Sequence, residues 1–125
     1  MQRSAIALLF SLALSPASPV AYAQNVDTRV TTAHRAYDLA RAASASGMAT
    51  TEEVYVWSVR WLDAERLAAP DRAQAAVMAH LSRMTTLEAE VRARVATGSA
   101  PASAEAACAY YVAEARAWQT QPPRL

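Results

Sequence analysis

The sequence predicts an all-α protein of three to four helices packed as antiparallel hairpins. Alanine makes up about a quarter of the residues after Ala23, and it loses less free energy than any other residue on entering a helix. Glycine occurs only at Gly47 and Gly98, so few positions favour other backbone conformations. No segment alternates apolar and polar residues for long enough to suggest a strand. These observations favour helices throughout.

The first helix is predicted at about Asp27 to Ala45. Its apolar residues recur at the spacing of a helix face that packs on another helix. They are Val26, Val30, Ala33, Tyr37 and Ala40. Gly47 is expected to end this helix, because the residue just past a helix end often adopts the left-handed conformation.

The second predicted helix begins after Thr50, whose hydroxyl can accept a hydrogen bond from a free backbone N–H group. Glu53, three residues later, completes a capping-box pattern. This helix is apolar on two sides, so neighbours are expected on both flanks. One stripe contains Val54, Trp57, Trp61, Ala64 and Ala68, and the other contains Tyr55, Val59 and Leu62.

Pro70 interrupts the second stripe, which otherwise continues in phase into a third helix. The continuation comprises Ala73, Val77, His80, Met84, Leu87, Val91 and Val95. Proline removes a backbone donor and clashes with the preceding turn, so the central helix is expected to kink or break at this residue. The shared phase favours a kink, and a full reversal of the chain is the alternative.

Gly98 and Pro101 separate the third helix from a fourth, which is expected at about Ala102 to Gln119. We predict one helical domain over residues 24–119, because about 100 residues suffice for one small hydrophobic core. The remaining residues, 120–125, include two prolines and are expected to form a disordered tail.

The N-terminal segment has the pattern of a secretory signal peptide. Arg3 precedes an apolar run of about ten residues and a segment that ends in Ala21-Tyr22-Ala23. We expect residues 1–23 to be removed between Ala23 and Gln24, which places the mature protein in the periplasm or outside the cell. The run is far shorter than the roughly twenty residues that span a bilayer, so no stable membrane anchor is expected in the mature chain.

The charge balance argues against a nucleic-acid partner. The chain has 12 basic residues, all of them arginine, and 11 acidic residues, whereas a nucleic-acid-binding surface normally shows a basic excess. The only cysteine, Cys108, has no partner for a disulfide within the chain. We expect a buried thiol there, and a disulfide between two copies is the alternative.

His80 and Met84 lie one helical turn apart, where an imidazole and a thioether are able to bind a soft metal such as Cu(I). Both also continue the apolar stripe, and methionine commonly fills helical cores. Packing is therefore the favoured interpretation. We predict no metal site and no cofactor.

No set of residues predicts catalysis. The acidic residues alternate with arginines at helical spacing, as in Glu88 and Arg92, which is typical of a solvated helix face. Ser58 and Ser82 lie within predicted helices, and the chain has neither a Gly-x-Ser-x-Gly elbow nor a glycine-rich phosphate loop. We expect no catalytic residues and a non-enzymatic protein.

Residues 47–55, Gly-Met-Ala-Thr-Thr-Glu-Glu-Val-Tyr, followed by residues 61–65, Trp-Leu-Asp-Ala-Glu, resemble the helical segment of TolC-type outer-membrane efflux proteins. In that family a glycine turn, a Ser or Thr cap and an acidic residue introduce a long helix rich in Ala and Leu. The resemblance covers about twenty residues and implies a periplasmic helical hairpin that packs beside other helices. It does not imply a channel, because the chain has no room for barrel strands or a full-length tunnel helix.

A broader similarity, in size, compartment and helicity, is to small periplasmic helical proteins of the cradle-chaperone and metal-resistance groups. Those proteins carry a Leu-Thr-x-x-Gln signature. Residues 49–53 of this chain contain the threonine but neither the leucine nor the glutamine.

The two apolar sides of the second helix predict an exported, non-enzymatic interaction or scaffold protein. On an extended rod the first helix covers only one side, and uncovered apolar area commonly marks a partner or self-association surface. The expected surface comprises Tyr55, Trp57, Val59, Trp61 and Leu62. The alternative is a periplasmic protein that binds a soft metal through His80 and Met84, or a ligand among the aromatic rings.

Overall fold

The computed structural model describes residues 18–124, which fold into four α-helices without a strand. The helices are α1 (Pro19–Ala45), α2 (Thr51–Ala68), α3 (Ala73–Ala96) and α4 (Ala102–Ala117). The predicted all-α architecture of helical hairpins is confirmed. None of these helices is long and apolar enough to cross a bilayer. Most of the predicted signal peptide, residues 1–17, lies outside the described range.

Both hairpins turn on a glycine with a left-handed backbone. Gly47 has a φ of 76° and Gly98 a φ of 74°. The N–H group of Met48 donates to the carbonyl oxygen of Ala43 at 2.8 Å, and the residue after Gly98 makes the equivalent bond at the same length. A residue without a Cβ takes this conformation without strain, so the predicted helix ends are confirmed.

Thr50 caps α2 as the sequence predicts. Its Oγ1 accepts a hydrogen bond from the backbone N–H group of Glu53 at 3.2 Å. Glu52 and Glu53 place two carboxylates in the first turn, beside the positive end of the helix dipole. The cap therefore fixes the residue at which α2 begins.

The chain reverses direction at Pro70, so the favoured prediction of a kink is wrong. Ser58 meets His80, and Leu62 packs in one cluster with Val77. Later residues of α2 therefore contact earlier residues of α3, so the two helices run antiparallel.

The residues around the proline explain the reversal. Ala69 has a φ of −142° and a ψ of 79°, because the proline ring disfavours the helical conformation of the residue before it. The single 3-10 turn Pro70–Arg72 then leads directly into α3. The apolar stripe continues in phase across Pro70 because both helices face one shared core, and two facing helices satisfy the same pattern as one straight rod.

α2 is the central helix of the bundle. Its backbone packs closely on α1, α3 and α4, whereas the described parts of α1 and α4 have no close backbone packing on each other. α1 and α3 run parallel and are joined by long side chains rather than by close backbone packing. Arg94 Nη1 donates to the carbonyl oxygen of Ser44 at 2.5 Å, and Arg41 pairs with Glu90. These contacts hold α1 and α3 together near their C-terminal ends.

The larger hydrophobic cluster draws on all four helices. Its completely buried members are Val54, Met84, Val91, Cys108 and Ala115. Burial raises the pKa of the Cys108 thiol, as is typical of a packed cysteine rather than a reactive one.

The same chain covers both flanks of α2. Trp61 packs against α1, and Tyr55 stacks on Tyr111 of α4 with ring centroids 4.1 Å apart. Leu62 is completely buried. The prediction of an uncovered apolar stripe assumes that α2 and α3 form one extended rod. The chain reverses at Pro70 instead, so α3 and α4 pack against α2.

Candidate functional site

A buried polar cluster joins α2 to α3 at the centre of the bundle. Ser58 Oγ lies 2.8 Å from His80 Nδ1, and neither residue has any exposed surface. Arg83 Nε donates to the same Oγ at 2.7 Å, and Arg83 Nη2 donates to the Ser58 carbonyl oxygen at 3.2 Å. No other acceptor for the hydroxyl proton lies within reach in the described range, so Ser58 donates to an unprotonated Nδ1.

Burial keeps His80 neutral. It lowers the pKa of the imidazole to about 4, with a smaller contribution from the charge of Arg83. The ring also stacks on Trp118, with centroids 5.3 Å apart. Its Nε2 is buried without a hydrogen-bond partner among residues 18–124. A neutral ring held in this way is part of the folded core.

Arg83 connects the polar cluster to α1 through Trp61. The guanidinium carbon lies 4.1 Å from the indole ring centroid, and the His34 ring lies 4.0 Å from the same centroid at an interplanar angle of 14°. Two groups so close to one centroid must lie on opposite faces, so the indole is sandwiched between them. Burial lowers the pKa of Arg83, and the charge of Glu65 opposes this shift. The stack links α1, α2 and α3 by a cation–π contact.

Ser58 and His80 supply the atoms of a nucleophile and a base, but their setting does not suit catalysis. Both are sealed from solvent, and Arg83 occupies a lone pair of the hydroxyl oxygen. No carboxylate within residues 18–124 orients the imidazole through Nε2, as a hydrolase triad requires. The sequence gives no sign of this pair, because residues 22 positions apart meet only when α2 and α3 face each other.

The candidate soft-metal ligands His80 and Met84 are both completely buried. Ser58 occupies Nδ1 of His80, and Met84 belongs to the larger hydrophobic cluster. Within the described residues, no group of three or more His, Cys, Asp or Glu side chains is placed to hold a metal ion. The contacts of both residues are those of packed core side chains.

A cleft of about 410 Å³ opens between α1, α2 and α3 at the end of the bundle near Pro70. Alanine supplies much of its lining, at positions Ala68, Ala69, Ala75, Ala76 and Ala79. The charged residues of its walls are Asp27, Glu65 and Arg72. An apolar lining with a few polar groups, at this volume, is typical of a small-molecule site. The arginine contacts that join α1 and α3, made by Arg41, Arg83 and Arg94, all lie on the C-terminal side of this cleft.

Glu65 differs from the other charged residues of the cleft. Its Oε2 is buried, and no donor in the described part of the chain reaches it. Six buried side-chain atoms of residues 18–124 lack a hydrogen-bond partner, and of these only Glu65 Oε2 belongs to a residue that lines the cleft. A buried acceptor without a donor costs about 1–3 kcal/mol, and the charge of Glu65 offsets part of this cost because it stabilises the half-buried guanidinium of Arg83.

A second groove, of about 400 Å³, lies on the other side of α1, between α1 and α2. Trp57 and Arg60 line it, and the guanidinium carbon lies 4.6 Å from the Trp57 ring centroid. The N-terminal half of α1 therefore has a hollow on each side. Its buried side chains there are Val26 and Ala33.

The five residues of the predicted interaction surface are divided among different contacts. Leu62 is completely buried, and the half-buried members are Tyr55, Trp57, Val59 and Trp61. The Tyr55 hydroxyl donates to Glu114 Oε1 at 2.5 Å, and burial raises the pKa of Tyr55. Trp57 is the member that lines a groove.

A comparison of the chain with protein-family models, with curated proteins and with solved structures found no match. The resemblance to TolC-type proteins therefore stays a prediction from about twenty residues. The contacts of the cleft and of the buried cluster are the basis for a functional proposal.

Proposed function

We propose that this chain is an exported, non-enzymatic binding protein that holds a small amphiphilic ligand in the cleft between α1, α2 and α3. The observation that carries the proposal is an alanine-lined cleft of about 410 Å³ whose lining includes Glu65, a residue with one buried carboxylate oxygen that no donor in residues 18–124 reaches. A ligand with an apolar body and one polar group covers the alanines and pairs with the Glu65 carboxylate. The site differs from the aromatic pocket expected from the sequence, because alanines rather than aromatic rings line it.

A non-enzymatic role is supported by the position of the reactive side chains. The Ser58–His80 pair is sealed in the core, away from the residues that line the cleft. Asp27, Glu65 and Arg72 provide charge and hydrogen bonding at the cleft but no activated nucleophile.

Export is supported by the point at which α1 begins to pack. Val26 is the first buried residue of α1, three positions after the predicted cleavage at Ala23. Residues 18–23 are all exposed, so their removal costs no core contact. Asp27 then lies near the start of the shortened helix, where its carboxylate faces the positive end of the dipole. The mass of the protein isolated from the periplasm tests this proposal, and retention of residues 1–23 contradicts it.

A protein partner or self-association is the second candidate, and the groove beside Trp57 and Arg60 favours it. Aromatic and arginine side chains are enriched at the centres of protein interfaces. The uncovered second stripe no longer supports this candidate, because α3 and α4 cover it. The groove is therefore the place where a partner is expected.

An NMR screen of small amphiphilic molecules against the purified, isotope-labelled protein separates the two candidates. Ligands of the cleft are expected to shift the amide resonances of Val30, Ala76 and Ala79. The substitution Ala79→Phe fills the cleft from an exposed position and is expected to abolish these shifts. Ala109→Phe, at an exposed position of α4, is the matched control and is expected to leave them unchanged.

Shifts confined to Trp57 and Arg60 favour the partner groove over the cleft. The absence of any shift at the cleft resonances across the screen contradicts the proposed function.

A further inference from the structure

The chemical class of the ligand follows from the charged residues of the cleft, provided that the proposed function holds. Glu65 lines the cleft, and its buried Oε2 accepts no hydrogen bond from residues 18–124. Asp27 adds a second carboxylate on the wall formed by α1. A carboxylate oxygen forms its strongest hydrogen bonds with a positively charged N–H donor, and a second carboxylate adds to the attraction.

None of the arginines around Glu65 donates a hydrogen bond to its Oε2. Arg83 commits two of its nitrogens to Ser58 and stacks on Trp61, so its charge acts on Glu65 without a hydrogen bond. Arg72 lines the cleft but is exposed, and water screens its charge. Arg66, the neighbour of Glu65 in sequence, does not line the cleft. These arginines make the electrostatic potential of the cleft less negative, but none of them donates a hydrogen bond to Glu65 Oε2.

We propose that the cleft binds an organic cation, in which an ammonium group donates to Glu65 and an apolar body packs on the alanines of α2 and α3. The short alanine side chains leave the space for that body, and their methyl groups provide apolar contact. The chain contains no lysine, so no side-chain ammonium of its own competes for the carboxylate.

The test compares three probes that share one six-carbon chain: n-hexylammonium, hexanoate and hexanol. Each is titrated into the purified protein while the amide resonances of Ala76 and Ala79 are followed by NMR. Hexylammonium is expected to bind at least about tenfold more tightly than either of the other probes, because only it forms a charge-assisted bond with Glu65.

Two glutamine substitutions on α2 assign the effect to one carboxylate. Glu65→Gln keeps the shape of the side chain and removes its charge, and it is expected to weaken hexylammonium binding at least about tenfold while changing hexanol binding less than about twofold. Glu53→Gln, at an exposed position of the same helix, is expected to leave both affinities unchanged. The thermal unfolding of each variant, followed by circular dichroism, confirms that the helices are intact.

Tighter binding of hexanoate or hexanol at the same resonances overturns the assignment of a cation and leaves the cleft as a binding site. Hexylammonium binding that survives Glu65→Gln has the same consequence. If none of the three probes shifts Ala76 or Ala79, the proposed function itself is contradicted.

Discussion

Two polar side chains on α2, Ser58 and Glu65, lie two helical turns apart and have opposite surroundings. The Ser58 hydroxyl and carbonyl are bonded to Arg83 and His80 within the core. Glu65 has a buried oxygen that no donor in residues 18–124 reaches, and it borders the cleft. A satisfied buried group helps to specify the fold, whereas an unsatisfied one costs stability. The comparison separates a polar group that serves the fold from one that is free to serve a ligand.

The interface between α1 and α3 shows the same contrast. At one end, Arg41 and Arg94 of the two helices bridge the gap to Glu90 and Ser44. At the other end the alanines of α3 cannot bridge the gap, and the cleft remains. The length of the side chains along α3 therefore decides where the bundle is closed and where it is open.

Acidification is expected to have the largest effect, and it acts on the buried cluster of Ser58, His80 and Arg83. The pKa of His80 is about 4 in the folded protein and about 6.5 in the unfolded chain, so between these values only the unfolded chain binds the proton. The contribution of His80 is therefore fully present above about pH 6.5 and is lost as the pH falls toward about 4. The loss in the free energy of unfolding is roughly 3 kcal/mol, measured by chemical denaturation at a series of pH values.

Carboxylates also titrate in the lower part of this range, so a variant is needed to isolate the imidazole. His80→Gln removes the titrating ring and is expected to flatten the decline between pH 6.5 and 5. His34→Gln, at an exposed position, is expected to retain it. A decline of unchanged size in His80→Gln contradicts the role given to the buried histidine.

Removal of the guanidinium that completes the cluster is expected to have the next largest effect. Arg83→Met deletes both hydrogen bonds to Ser58 and the stack on Trp61, which should lower the free energy of unfolding by about 2 kcal/mol. The exposed Arg35 on α1 provides the matched control, and Arg35→Met is expected to change stability by less than about 0.5 kcal/mol. Urea denaturation followed by tryptophan fluorescence measures both. Equal effects of the two substitutions argue against a structural role for the cluster.

Substitution of the two turn glycines is expected to have a smaller effect on stability, and it changes neither Ser58 nor Glu65. Gly47→Ala and Gly98→Ala are each expected to cost about 1 kcal/mol, because alanine is strained at a positive φ. A Cβ meets no atom within 4 Å at either turn, so the cost is conformational rather than steric. Asparagine tolerates this conformation and should recover part of the loss. A drop in ligand binding in these variants means that the cleft depends on turns far from it, which weakens the comparison.

Local signals in the sequence predicted the local features of the fold. Gly47, Gly98 and Thr50 act within one or two turns of their own positions, so the helix ends and the cap of α2 follow from neighbouring residues. The direction of the chain after Pro70 does not follow from neighbouring residues, because two facing helices and one continuous rod bury the same apolar stripe.

The candidate site depends on that direction. Ser58 meets His80, and α3 comes to face Glu65, only because the chain reverses at Pro70. No spacing within a single helix carries this information. The sequence also gives no sign that Glu65 differs from the other acidic residues of the helix faces, since its burial arises from the packing of three helices.

The most direct test of the central comparison is the equilibrium unfolding of Ser58→Ala and Glu65→Ala, measured in urea at pH 7.5 without ligand. Ser58→Ala should cost about 2 kcal/mol, because it leaves the buried groups of Arg83 and His80 without their partner. Glu65→Ala should cost less than about 1 kcal/mol, because it removes an acceptor that has no donor and loses only the charge that partly offsets the burial of Arg83. A cost for Glu65→Ala as large as that for Ser58→Ala would show that the fold needs this carboxylate and would contradict its assignment to a ligand.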